Sequence, residues 1–139
     1  MIKYQDNMGG VSAGRLKGFF VGWPNPPSPA MHLKLLNNSG MRILAIDAKT
    51  GNVLGFITAI TDGVLSAYIP FLEVLPPYQG CGIGKELVRR MMVKLKKAYM
   101  IDLVCDQDLQ KFYKKFNMFP AGAMIKRNSP NQSGKKICW

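Results

Sequence analysis

Acidic side chains are scarce in this chain. Only 8 Asp and Glu stand against 19 Lys and Arg, which leaves a formal charge of +11 and concentrates anions near the surface. The surplus points to an acidic partner, nucleic acid or a phosphorylated cofactor, set against the plainer reading of a solvated basic surface. Histidine occurs once, at His32, and no Cys, Asp or Glu cluster has ligand spacing, so no metal is expected. The cysteines Cys81, Cys105 and Cys138 lie far apart without a CxxC pair, and any internal disulfide leaves one over. Reduced thiols in a reducing compartment fit that pattern. No run reaches the roughly 18 apolar residues of a membrane span, and Met1 to Gly10 lacks a basic-then-apolar leader. A cytoplasmic protein without a membrane segment is expected.

What is present is a chain of 139 residues, 47% hydrophobic, enough for one buried core. One domain over residues 1–128 is expected, followed by a polar, basic, frayed tail over 129–139. Ile2 to Gln5 reads as a first strand. Ser12 is placed to cap a helix that carries Leu16, Phe19 and Phe20, ended by Trp23-Pro24-Asn25-Pro26-Pro27. Ser28 followed by Pro29 is a helix start, with Leu33, Leu35 and Leu36 available for packing and Asn37 to Gly40 as the stop. His32 within it reads as an ordinary surface residue.

From Met41 the texture is that of strands. Arg42 to Ala48, Val53 to Thr61 and Val64 to Leu75, joined by turns at 49–52 and 62–63, predict an antiparallel meander that Pro76 and Pro77 end. Gly82 to Lys97 carries Ile83, Leu87, Val88, Met91, Met92 and Leu95 on one stripe, the signature of an amphipathic helix. A short strand from Met100 to Cys105, a helix from Asp106 to Phe116 and a last strand within Met118 to Arg127 complete the expectation.

The segment Tyr78-Gln79-Gly80-Cys81-Gly82-Ile83-Gly84-Lys85 opens the amphipathic helix. Glycines allow close backbone approach, and the N–H groups of a helix start favour an anion. Glycines before helices also serve purely steric ends, so phosphate binding and a tight turn both remain open locally. A Walker loop is absent, and a dinucleotide fingerprint would follow the first strand of a βαβ unit rather than a meander.

Gln79-x-x-Gly82-x-Gly84 after a strand resembles the pyrophosphate loop of the GNAT superfamily of acetyl-CoA-dependent N-acetyltransferases. Two further stretches are similar in the same order: Val74-Leu75-Pro76-Pro77-Tyr78-Gln79-Gly80 leads into the loop, and Phe112-Tyr113-Lys114-Lys115-Phe116 resembles a helix motif of that family. The likeness covers roughly Val53 to Phe119, about half the chain. It implies an α+β (mixed α/β) fold whose mostly antiparallel central sheet is flanked by helices and split between two parallel strands.

The resemblance also implies roles. Backbone N–H groups of Gln79, Gly80, Cys81, Gly82, Ile83, Gly84 and Lys85 would hold the pyrophosphate of acetyl-CoA, and Val74 and Leu75 would pair with its pantetheine arm. Lys85, Arg89 or Arg90 would meet outer phosphates, or serve as solvated cations. Tyr113 would protonate the departing thiolate, with a packed aromatic as the plainer reading. Glu73 is the acidic residue that the strand before the loop offers, for binding or deprotonating the acceptor through water, or as a solvent-facing side chain. Gln107 stands where many members have a cofactor-contacting asparagine. Asn117 and Met118 replace the usual Gly-Phe, and Asn tolerates the left-handed conformation of a helix end.

The resemblance implies a primary-amine acceptor whose identity the residues leave open: a small amine, an aromatic one suggested by Phe19, Phe20 and Trp23, or a protein lysine. Direct attack in a ternary complex is the expected mechanism, with a covalent route through Cys81 or Cys105 as a lesser alternative. A homodimer is compatible with the chain. Two other classes compete: a non-catalytic acyl-CoA sensor or interaction domain, and a nucleic-acid-binding module, for which no helix-turn-helix, zinc-finger or RNP pattern is found.

Overall fold

Strand β3 (Val53–Thr61) is the axis of the molecule, and its residues from Val53 to Ala59 are all buried. That is the mark of a strand covered on both faces, and it explains why Val53 to Ile60 reads as a near-continuous apolar run. The computed structural model describes residues 1–136. Cys138 lies outside the described residues.

Around β3 a six-stranded sheet runs in the order β1 (Ile2–Gln5), β2 (Met41–Asp47), β3, β4 (Ser66–Tyr68) and β6 (Met100–Asp102), with β5 (Leu72–Val74) also pairing with β3. All pairs are antiparallel except β4 with β6. The expected third strand, Val64 to Leu75, is therefore two strands. Ile60 faces Tyr68 while Ile57 faces Leu72, so residues 69–71 of one chain oppose 58–59 of the other. This one-residue bulge centres on Pro70, which has no N–H to give to a ladder.

The sheet has two covered faces. On one, Ile83, Leu87, Val88, Met91 and Leu95 of helix α2 (Ile83–Lys94) and its C-cap pack with Ile43, Ile57, Ala59 and Ile69. On the other, helix α1 (Pro29–Asn38) buries Leu36 with Leu16, Phe19, Phe20, Leu44 and Phe56. Ser28 caps α1 as expected, its Oγ accepting from the Met31 N–H at 3.2 Å.

Several expectations are corrected. The helix expected after Ser12 is only a 3-10 turn, Ala13–Arg15, and Ser12 makes no cap bond. Gly18 (φ 89°), Phe20 (φ 61°) and Gly22 (φ 81°) put left-handed residues where a helix would continue, although Leu16, Phe19 and Phe20 are still buried. β6 ends at Asp102 rather than Cys105, because past that point neither flank supplies a ladder partner. The helix after Asp106 is a 3-10 turn, Gln107–Leu109, followed by helix α3 (Gln110–Lys114), without a side-chain cap from Asp106. No strand forms within Met118 to Arg127, where Phe119 and Met124 are exposed. In the described part of the tail, Gln132 Oε1 accepts from the Asn25 N–H at 2.7 Å, and Asn131 bonds twice to Lys136.

His32, expected at the surface, is 0% exposed. Its ring lies among Phe19, Phe20 and Phe56, with centroids 5.2, 4.9 and 4.4 Å away. Neither ring nitrogen has a partner among the described residues. Burial disfavours the imidazolium and pushes its pKa down to about 4. The unfolded chain binds this proton below its ordinary value near 6.5, whereas the folded protein resists it until pH falls to about 4. Stability present above pH 6.5 should therefore fall by up to roughly 3 kcal/mol between pH 6.5 and 4. Urea unfolding of the parent and His32→Leu across that range checks this: the variant should lose this component of the pH slope, and an equal slope in both would refute it.

Candidate functional site

The Pro70 bulge creates an opening beside β5. β4 stays bound to β6, ending with the Ile69 N–H donating to Asp102 O at 2.9 Å. Among the described residues β5 is bound only to β3, and the two parallel strands part from there. Thr58 N–H donates to Phe71 O at 3.0 Å and Leu75 N–H to Leu54 O at 2.9 Å. Strand alternation then turns the N–H and C=O of Val74 away from β3 and into the opening. The Val74 carbonyl already accepts from Gln79 Nε2 at 2.9 Å.

Beyond β5, Leu75 leads into a 3-10 turn, Pro76–Tyr78, and then the glycine loop. Gly80 and Gly82 have φ of 78° and 85°, conformations that L side chains rarely adopt. A Cβ added at either would meet nothing within 4 Å, so the space over the loop is open. None of the backbone N–H groups from Gly80 to Lys85 finds an acceptor among the described residues, and Gly82 supplies no side-chain cap. Cys81 and Lys85 are exposed, while Ile83 is 2% exposed and anchors the helix start in the core. A row of free N–H groups with room above it, at the positive end of α2, is chemically fitted to a phosphate. Arg89 and Arg90 engage Glu86, at 2.7 and 2.6 Å, and hold its carboxyl well below the usual range.

Three chain segments converge on the loop. A Cβ at Gly84 would lie 3.7 Å from Val74 Cγ2 and 4.0 Å from Phe112 Cζ, which puts β5, α2 and α3 in contact there. Tyr113 follows Phe112 and is 9% exposed. Burial, with a smaller contribution from Cys105, pushes its phenol up to about 12, so it stays protonated at neutral pH. Tyr113 and Cys105 both border a pocket of about 150 Å³ with Leu103, Lys114 and Met118. Asn117 has φ 61°, the left-handed end that its residue type suggests. Gln107 is exposed in the 3-10 turn before α3.

Glu73, half-buried on β5, reaches across to the chain before α1. Its Oε2 accepts from the Phe20 N–H at 2.9 Å and its Oε1 from the Val21 N–H at 3.1 Å. No local pattern links residues 53 positions apart; the glycines at 18 and 22 are the only trace in sequence that this segment needs left-handed backbone. A larger hollow of about 400 Å³ lies elsewhere, between β1 and α2, and its Lys94 is paired with Asp6. Among the described residues, no group of three or more His, Cys, Asp or Glu could hold a metal, and no helix is long and apolar enough to cross a membrane.

A split sheet with a glycine loop at the mouth of the split defines a class of fold, and comparison with known proteins names it. The family model described as Acetyltransferase (GNAT) family matches residues 12–118. The chain belongs to the GNAT acetyltransferase family. It is 32% identical over 99 residues to the uncharacterized N-acetyltransferase ycf52 of Pyropia yezoensis, covering 68% of this chain and 56% of that one. The chain thus spans little more than half the length of the curated relatives of that kind. Over 65 residues it is 40% identical to a [ribosomal protein bS18]-alanine N-acetyltransferase of Haemophilus influenzae, covering 45% of this chain and 43% of that one. A crystal structure from Deinococcus radiodurans R1, provisionally assigned as an acetyltransferase, superposes with a TM-score of 0.94 at 40% identity, covering 98% of this chain and 94% of that one.

Gly55 is the point where β3, β5 and α2 come closest. A Cβ there would meet Glu73 O at 3.1 Å, Val74 Cγ2 at 3.2 Å and Ile83 Cγ2 at 3.3 Å. Gly55→Ala should lower stability by about 1–3 kcal/mol through overpacking, read as a lower urea midpoint. An unchanged midpoint would mean that strand and helix give way freely.

Proposed function

We propose that this protein transfers an acetyl group from acetyl-CoA to a primary amine by direct attack in a ternary complex. The observation that carries the reading is the run of unpartnered N–H groups from Gly80 to Lys85, set beside a strand whose Val74 backbone faces an opened sheet. In this reading Gln79 to Lys85 hold the pyrophosphate. Pantetheine amides pair with Val74, which requires Gln79 to leave the Val74 carbonyl; Leu75, whose N–H goes to Leu54 and whose carbonyl takes the Tyr78 N–H, borders the arm without sharing in that pairing. The exposed side chain of Lys85 adds charge at the loop, and Gln107 flanks the opening.

The amine nitrogen attacks the acetyl carbon, the C–S bond breaks, and the amine's proton leaves through water. Tyr113 faces the departing sulfur. With a phenol near 12 and a thiol near 8.5, complete proton transfer is uphill by roughly 5 kcal/mol, so the phenol acts chiefly as a hydrogen-bond donor that strengthens as the thiolate forms. Acceptors range from small aromatic amines to protein lysines and, by analogy with the Haemophilus relative, a terminal alanine amine. A second reading, an acyl-CoA sensor without turnover, draws on one fact: both oxygens of Glu73 accept backbone N–H groups, which ties the carboxylate of β5 into the fold.

Calorimetric titration with acetyl-CoA, followed by thiol release across an amine panel, separates these readings. Binding with turnover is expected; binding without turnover favours the sensor, and no binding overturns both. Tyr113→Phe should lower kcat by about 100-fold or more, uniformly from pH 6 to 9, because its phenol does not titrate in that range. Unchanged turnover would remove Tyr113 from the chemistry. Gly82→Val, at a φ of 85°, should raise the acetyl-CoA Kd at least about tenfold while the circular dichroism spectrum is retained.

A further inference from the structure

Glu73 is paired across the sheet with Phe56, so its side chain rises on the face of Phe56 and Phe71 rather than on the α2 face. On the α2 face Val74, Gly84 and Phe112 lie close together, a Cβ at Gly84 falling 3.7 Å from Val74 Cγ2 and 4.0 Å from Phe112 Cζ. On the acetyl-transfer reading, the acceptor approaches the acetyl carbon from the face that carries Glu73. What stands there is the segment from Gly18 to Trp23. A Cβ at Gly18 would lie 3.5 Å from Leu75 Cδ2, and Phe20 is T-shaped to Phe71 at 6.0 Å and to Trp23 at 5.0 Å. Trp23 is 38% exposed and Phe71 half-buried, so their rings border the approach.

That segment is held by two consecutive N–H groups converging on one carboxylate. Phe20, at φ 61°, turns the backbone so that its own N–H and that of Val21 form a small anion-binding concavity, and Glu73 fills it. A non-glycine residue in this conformation is costly and persists only where its surroundings over-determine it. Here the surroundings are the carboxylate on one side and the rings of Phe56, Phe71 and His32 on the other.

We propose that Glu73 is a positioning residue: its carboxylate clasps the backbone of Phe20 and Val21 and thereby sets the Trp23 and Phe71 wall against which the acceptor amine docks. The assignment of an acceptor to this face rests on the acetyl-transfer reading; the clasp does not. Both carboxylate oxygens take part in the clasp, and the role assigned to Glu73 is to position the acceptor wall rather than to act as general base.

Two measurements test this. Amide hydrogen exchange needs no substrate: the Phe20 and Val21 N–H groups should exchange at least about tenfold faster in Glu73→Ala, and one of the two should remain protected in Glu73→Gln, which keeps a single carbonyl acceptor. Exchange at the parental rate in Glu73→Ala would overturn the clasp. Kinetics then assign the role: Glu73→Ala should raise the acceptor KM about tenfold or more with little change in kcat or acetyl-CoA Kd, Glu73→Gln should recover part of that loss, and both pH–rate profiles should keep the parental shape. A Glu73→Gln enzyme that loses kcat and the acid limb of its profile at unchanged acceptor KM would overturn the positioning role in favour of a base. If the parent protein neither binds nor turns over acetyl-CoA, the transfer reading fails, and the exchange data still decide the clasp.

Discussion

Pro70 lacks the one donor that an unbroken strand would need at its position, and the architecture of the opening depends on that absence. Had the chain run straight from Ser66 to Val74, it could have kept β3 on one side and β6 on the other along its whole length. Instead the bulge leaves β4 bound to β6 and β5 bound to β3 alone. The parallel chains separate, and the Val74 amide and carbonyl are left facing a gap. A backbone group that no ladder satisfies is a site in waiting, because an unpaired N–H or C=O is paired by something else or pays for its burial.

Helix α2 makes use of that gap. Ile83 is locked into the core at the first helical position, so the glycine loop before it is held in place by packing although nothing lies above Gly80 and Gly82. Gly55 lets β3 come close enough for Val74 and Ile83 to share one contact region. The loop, the open strand edge and Tyr113 are thus presented by rigid elements, while the opposite face is formed by a segment with little regular structure of its own. That segment takes its shape from tertiary contacts: Leu16, Phe19 and Phe20 are buried, and Glu73 ties the backbone. The rigid and the irregular faces meet along β5, where Glu73 points to one and Val74 belongs to the other.

Much of this was legible in the residues. The glycine loop, the amphipathic stripe of α2, the Ser28-Pro29 helix start and the left-handed Asn117 all follow local rules that the fold obeys. Most departures from these rules share a cause, a contact distant in sequence. Leu16, Phe19 and Phe20 have helical spacing, yet the glycines around them and the remote carboxylate of Glu73 decide the backbone. Val64 to Leu75 has strand texture throughout, and only the choice of partners on either side of Pro70 divides it. Asp106 has the right identity for a cap but a 3-10 turn starts there instead. His32 is polar by type, and nothing nearby in sequence announces that three phenylalanine rings will enclose it. Glu73 was visible as an isolated carboxylate, but its partners were not, because backbone N–H groups carry no side-chain signature.

Gln79 has a further consequence for how the opening recognises what enters it. Its amide rests on the Val74 carbonyl at 2.9 Å, so the protein carries its own placeholder at the strand edge. A ligand amide arriving there exchanges one neutral hydrogen bond for another, with little net gain. Selectivity on the proposed reading then falls to the other end of the ligand, where the N–H groups after Gln79 have no substitute and a doubly charged phosphate pair is the group that answers them. The strand edge acts as a guide that is indifferent in energy, the loop as the lock, and affinity should track ionic strength far more than the length of the arm between them.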